Sequence, residues 1–216
     1  MKKKWVKNSS FILVFFTAIL LFPMPSALFA QGVTYEHVAK MNTVTGSVIS
    51  DDGNYVAYTV SVPADAFKEN SRNATHLYVL HVPSGKSKPY YTDNNVSQVT
   101  FRPGKGTVAF LSKKSSDNFN ALYELSLSGG EAVKLFGHST NILNYEWGAD
   151  GNNIAFMAME DAIKPVSPLT YSPDFYEENF TMRKAYIANV ANASSQSRKI
   201  NVEGSVYMLS WSPDKT

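Results

Sequence analysis

A ten-residue phrase returns three times along this chain and begins a fourth. It reads Ile49-Ser-Asp-Asp-Gly-Asn-Tyr-Val-Ala-Tyr58, then Phe101-Arg-Pro-Gly-Lys-Gly-Thr-Val-Ala-Phe110 and Trp147-Gly-Ala-Asp-Gly-Asn-Asn-Ile-Ala-Phe156. It opens again as Trp211-Ser-Pro-Asp214, and the copies start 52, 46 and 64 residues apart. A large apolar residue closes one strand, and Pro, Asp and Gly supply the tight turn. Val-Ala or Ile-Ala with an aromatic residue then opens the next strand. A second phrase follows each complete copy: Leu77-Tyr-Val-Leu-His-Val82, Leu122-Tyr-Glu-Leu-Ser-Leu127 and Ala185-Tyr-Ile-Ala-Asn-Val190. Beyond each lies another short strand, at Ser87 to Tyr91, Ala132 to Phe136 and Ser197 to Val202.

Each period therefore holds four short strands, and four strands in roughly 40–50 residues are the mark of a propeller blade. A β-sandwich also spaces its strands evenly, but nothing in that architecture repeats a turn phrase in register. Residues Tyr55 to Val60 are apolar or aromatic on both alternating faces, as in a strand buried between two stacked sheets. The recurring Ala57, Ala109 and Ala155 are expected where neighbouring sheets come closest. The fold class read here is all-β, a partial β-propeller of four-stranded blades with three complete repeats and the start of a fourth. Propellers usually carry about 4–8 blades, so residues 31–216 are expected to be the front portion of a longer ring.

The first thirty residues read differently. Lys2, Lys3, Lys4 and Lys7 precede an uncharged, mostly apolar run from Phe11 to Phe22, and Pro23 and Pro25 lead into Ala27-Leu-Phe-Ala30. That layout is a secretory signal peptide, with cleavage expected after Ala30. The run is too short for a membrane anchor, which needs about 20 apolar residues. Residues 1–30 are thus assigned to the leader and residues 31–216 to the propeller, exported to the periplasm or the medium, with no membrane association after cleavage. The leader holds four lysines and no acid, so 16 basic face 18 acidic residues in the remainder. No basic stripe is left, which argues against nucleic acid as a partner. With no cysteine in the sequence, a hydrophobic core rather than disulfides must hold an exported fold.

Catalytic signatures are sparse. The nearest string to a nucleophile elbow, Gly137-His-Ser-Thr-Asn141, lacks the closing glycine. Gly85-Lys86-Ser87 resembles the end of a phosphate loop, but Leu80 stands where its first glycine belongs, and a hairpin turn is the simpler reading. His37, His76, His81 and His138 show no ligand spacing, so no metal and no cofactor is expected. The irregular feature is an insertion between Met159 and Arg183, with Pro165, Pro168 and Pro173 in its first half and Asp174 to Met182 able to form a helical turn or two. Long loops on propellers line a channel mouth or meet a partner. Glu177 and Glu178 in this insertion are the candidate substrate-binding residues: a pair of carboxylates for a cationic group, or else a solvated acidic turn.

Taken together, the lead-in Thr34-Tyr-Glu-His-Val-Ala-Lys-Met41, the blade phrases, Gly129-Gly-Glu-Ala132 and the insertion Phe175-Tyr-Glu-Glu178 resemble the N-terminal propeller of secreted prolyl oligopeptidase-family serine peptidases. The look is closest to dipeptidyl aminopeptidase or acylaminoacyl-peptidase-like members, and it covers nearly all of residues 34–216. The resemblance implies a C-terminal α/β-hydrolase domain bearing a Ser-Asp-His triad, with the propeller restricting access to short peptides. It places no triad residue in this chain. It also implies that Tyr176-Glu177-Glu178 corresponds to the acidic pair that holds a substrate's free amino terminus. Peptide substrates and the hydrolase domain are then the partners. A periplasmic propeller that scaffolds other proteins is the alternative, followed by a sugar- or lyase-type propeller enzyme acting through its channel loops.

Overall fold

The computed structural model describes residues 32–65, 68, 70–160, 170, 181–191 and 196–212. The leader at 1–30 and the pair Glu177 and Glu178 lie outside the described residues. The chain divides into two units after Val38. The short helix α1, Tyr35–Ala39, is started by Thr34, whose hydroxyl accepts from the amide of His37 at 3.3 Å.

From Ala39 onward the chain builds three four-stranded antiparallel sheets, each in simple sequential order. Blade A comprises β1 (Thr43–Ile49), β2 (Tyr55–Val62), β3 (Ala74–His81) and β4 (Lys86–Tyr91). Blade B comprises β5 (Val96–Phe101), β6 (Thr107–Ser112), β7 (Ala121–Ser126) and β8 (Val133–Phe136). Blade C comprises β9 (Ile142–Trp147), β10 (Asn153–Met159), β11 (Arg183–Asn189) and β12 (Arg198–Lys199). The repeated phrase is the first hairpin of every blade. Its Asp folds the turn: the Asp150 carboxylate accepts from the amides of Asn152 at 2.9 Å and Asn153 at 3.0 Å. Asp52 does the same for Asn54 at 3.0 Å while accepting from the Ser50 hydroxyl at 2.6 Å. The following glycines, Gly53 at φ 70° and Gly151 at φ 63°, take the left-handed conformation that such a turn needs.

The cores lie between blades rather than within them. Strand β6 shows why: Val108 and Phe110 project into a core shared with Ala57, Leu77 and Val79 of blade A. The alternating Ala109 and Leu111 project into a second core with Ile142, Ile154 and Phe156 of blade C. Full burial of side chains such as Phe110 and Phe156 is worth roughly 1.5–3 kcal/mol each. Ala57 and Ala109 are fully buried at the two joints, where the sheets approach closely.

Two expectations need correction. In β2 only Ala57 and Thr59 are buried, while Val56, Tyr58 and Val60 are half-exposed. Strand β2 is apolar on both faces like β6, but among the described residues no sheet stacks on that side of blade A. The second difference concerns the third version of the outer strand, which shrinks to the two residues of β12.

Candidate functional site

The first strands of the blades come together at the inner rim. Strand β1 touches β5, and the β9 side chains of Tyr145 and Trp147 reach across to Thr100 of β5, at 2.7 Å and 3.0 Å. The last strands β4, β8 and β12 lie on the far side of their sheets. At the hairpin end of this rim sits an opening of about 610 Å³ to which all four copies of the phrase contribute. Ile49 and Asp51 come from the first copy, Phe101 from the second, Trp147 from the third with Glu146 just before it, and Trp211 from the fourth.

Trp211 is seated by Glu146. Its indole Nε1 donates to the Glu146 carbonyl at 3.2 Å, and its backbone amide donates to the Glu146 carboxylate at 3.3 Å. The Trp147 indole binds the preceding repeat at the equivalent residue, Thr100, so the aromatic closing each first strand docks on the neighbour before it. The mouth therefore combines aromatic faces with two carboxylates. Aromatic faces accept apolar side chains and cations, and carboxylates accept charge-assisted hydrogen bonds from an ammonium or guanidinium.

Beside the rim lies the one buried arginine among the described residues, Arg102, only 8% exposed. Its Nε donates to the Gly151 carbonyl at 2.6 Å, and a terminal nitrogen pairs with Glu124 at 2.9 Å. Its guanidinium also lies over the Trp147 ring, 5.2 Å from the centroid. Each guanidinium nitrogen meets a protein acceptor, the third being the Asn152 side chain at 3.5 Å, so Arg102 fastens blade B to blade C.

A second polar cluster centres on Asp117, whose side chain is 4% exposed. It pairs with Lys134 at 2.7 Å, accepts from the Lys114 amide at 3.0 Å and from the Tyr123 hydroxyl. Burial pulls its pKa upward, but the Lys134 ammonium, the Tyr123 hydroxyl and the Lys114 amide outweigh that and leave it below the usual carboxylate value. Tyr123 is correspondingly pushed up, by burial first, then by its hydrogen bond to Asp117 and by the Asp117 charge. All these partners belong to blade B, so the cluster ties the β6–β7 connection to β8.

The sequence's candidate motifs fall as follows. Gly85 closes a one-turn 3-10 helix, Val82–Ser84, at φ 63°, and Lys86 opens β4, so Gly85-Lys86-Ser87 is a hairpin turn. His81 ends β3, its Nδ1 2.8 Å from the Ser84 hydroxyl. His138 stacks against Phe156 and Tyr186 in the connection at 137–141 between β8 and β9, where no strand-to-helix elbow forms. Among the described residues no group of three His, Asp or Glu could hold a metal ion, and no helix is long and apolar enough to cross a membrane. Glu177 and Glu178 are not placed, being outside the described residues. Sequence reasoning missed Arg102 and Asp117. Arg102 carried one signal: a long cation standing where the other copies have Ser50, Gly148 and Ser212.

The three sheets are consecutive blades of a β-propeller. No family model matches the sequence, and no curated protein matches it. Solved structures do match in fold. Over 75% of this chain and 26% of the other, the fold resembles an acylaminoacyl peptidase in complex with Z-Gly-Gly-Phe-chloromethyl ketone, with a TM-score of 0.55 and 12% identity. The acylaminoacyl peptidase of Pyrococcus horikoshii matches over 75% of this chain and 25% of its own, at TM-score 0.55 and 11% identity. The AtxE2 isopeptidase matches over 77% and 32%, at TM-score 0.55 and 13% identity. At such identities the likeness is one of fold, and the match spans about a quarter to a third of those proteins' length.

Proposed function

We propose that this chain is the substrate-gating propeller portion of an exported serine peptidase of the prolyl oligopeptidase family, one that cleaves short peptides as a dipeptidyl or acylaminoacyl peptidase. In this reading the leader at 1–30 directs export, and the Ser-Asp-His triad belongs to an α/β-hydrolase domain C-terminal to the propeller. The observation that carries the reading is the likeness of blades A to C to acylaminoacyl peptidase structures, of which they span about a quarter. The lead-in from Thr34 and the insertion with Tyr176-Glu177-Glu178 support the same family from the sequence side. The inner rim, with its aromatic faces and carboxylates, supports a role in passing peptides.

Within this proposal Glu177 and Glu178 hold the substrate's α-ammonium. Two adjacent carboxylates raise each other's pKa, and a bound ammonium relieves that repulsion while donating two charge-assisted hydrogen bonds to them. Replacing either residue in the whole protein, by Glu177→Gln or Glu178→Gln, is expected to lower kcat/KM by about 2–4 kcal/mol for peptides with a free amino terminus. N-acylated peptides should be nearly unaffected. Small, equal effects on both substrate classes would return the pair to a solvated turn. A purified whole protein with further blades, no hydrolase domain and no peptidase activity would instead support a scaffold.

A further inference from the structure

The joints between successive blades are not alike, and the difference starts in the sequence. At each joint the residue just before the large apolar residue that closes the first strand of one blade lies beside the aromatic that closes the first strand of the next. Between B and C this is Thr100 with Trp147, joined at 3.0 Å and reinforced by the Tyr145 hydroxyl at 2.7 Å. Between C and the fourth copy it is Glu146 with Trp211, again hydrogen-bonded. Between A and B the pair is Val48 with Phe101, which packs on the shared core but has neither donor nor acceptor in its side chains. The Arg102 bond to Gly151 likewise fastens B to C, and the residue in that position of blade A is Ser50, which bonds within its own turn. At the turn itself, a Cβ on Gly151 would collide with the Pro103 carbonyl of blade B, whereas the residue in that position of blade B is Lys105, an exposed side chain.

The hairpin end of the A–B joint is instead an opening of about 660 Å³, bordered by Asp51 and Asp52 on one side and Arg102 and Lys105 on the other. Among the described residues, the side-chain hydrogen bonds linking A to B lie elsewhere. Asn95, in the A-to-B connection, accepts from the Thr75 amide at 2.7 Å and from the Ser112 hydroxyl at 2.8 Å. On the outer side the Tyr90 hydroxyl donates to the Leu127 carbonyl at 2.6 Å.

We propose that the A–B joint is a built-in gate: blade A swings away from blade B at the hairpin end, pivoting on the Asn95 and Tyr90 contacts, while the B–C joint stays latched. The opening exposes the A–B core to solvent without unfolding either sheet. This holds whatever reaction the whole protein performs.

Residues 1–216 hold no cysteine, so in the whole protein, with any cysteine beyond them replaced by serine, a single buried thiol reports each joint. Ala57→Cys and Ala109→Cys occupy the same blade position, one in the A–B core and one in the B–C core. Under native conditions the thiol at 57 should react with a small disulfide reagent at least about tenfold faster than the thiol at 109. Installing the missing latch, Val48→Thr with Phe101→Trp, should slow labelling at 57 several-fold and leave 109 unchanged. Removing the existing one, Thr100→Val, should speed labelling at 109. If Ala57→Cys fails to fold, Val79→Cys reports the same core. Equal rates at the two positions, or a latch without effect, would overturn the gate. So would β2 and β3 amides exchanging as fast as the thiol at 57 reacts, because blade A would then be unfolding rather than swinging.

Discussion

Asp117 and Arg102 show how single buried charges are held in a fold with few of them. Asp117 keeps a lowered pKa despite its burial because three donors stabilise the carboxylate. A carboxyl group whose pKa is depressed on folding adds stability above its unfolded pKa, near 4, and loses it as the pH falls through the lower folded value. Asp117→Asn is therefore expected to destabilise the protein by about 1–3 kcal/mol at pH 7, leaving Lys134 unpaired. The penalty should shrink as the pH falls below about 4, and urea denaturation of both proteins at pH 7 and pH 3 measures it. At Arg102 the change to Met keeps the length but strands Glu124 and the Gly151 carbonyl, an expected loss of about 1.5–3 kcal/mol. Neither role was legible in the sequence. Lys134 is 17 residues from Asp117, Gly151 is 49 from Arg102, and no local pattern encodes pairs so far apart.

At the scale of the element, the turn phrase was legible because its chemistry is local. Asp, Gly and the flanking apolar residues each act within a few positions, and every complete copy became the first hairpin of a blade. What lay beyond the phrase was less so. The uncovered face of β2, with Val56, Tyr58 and Val60, is as apolar as the covered faces of β6, since the sequence encodes apolarity and not the presence of a neighbour. Gly53 and Gly151 separate these contributions. Both have positive φ, so Gly53→Ala should cost only the left-handed strain, about 1–2 kcal/mol. Gly151→Ala adds a clash with the Pro103 carbonyl across the B–C joint and should cost about 1–3 kcal/mol more. Matching denaturation midpoints for the two variants would mean that the blades do not press together at this turn.

For the whole molecule, the blades leave apolar surface that the described residues do not cover. Val44 and Ile49 of blade A are 64% and 65% exposed, and Tyr207 and Met208 beyond blade C are 76% and 79% exposed. Such patches, with open strand edges, drive association, so residues 31–216 alone should self-associate in sedimentation rather than melt as a monomer. The propeller class was legible because three periods of four strands admit few architectures. The functional site was only partly legible: Glu177 and Glu178 rest on a motif, while the inner rim emerges only when residues about 50 apart are brought together.

The central claim is that this propeller serves a serine peptidase whose nucleophile lies outside residues 31–216. Labelling the purified whole protein with a fluorophosphonate and mapping the modified residue by mass spectrometry tests it directly. The expected result is one labelled serine C-terminal to Thr216, lost together with peptidase activity on a single Ser→Ala change. A labelled serine within residues 31–216, or no labelling of an otherwise folded whole protein, would contradict it.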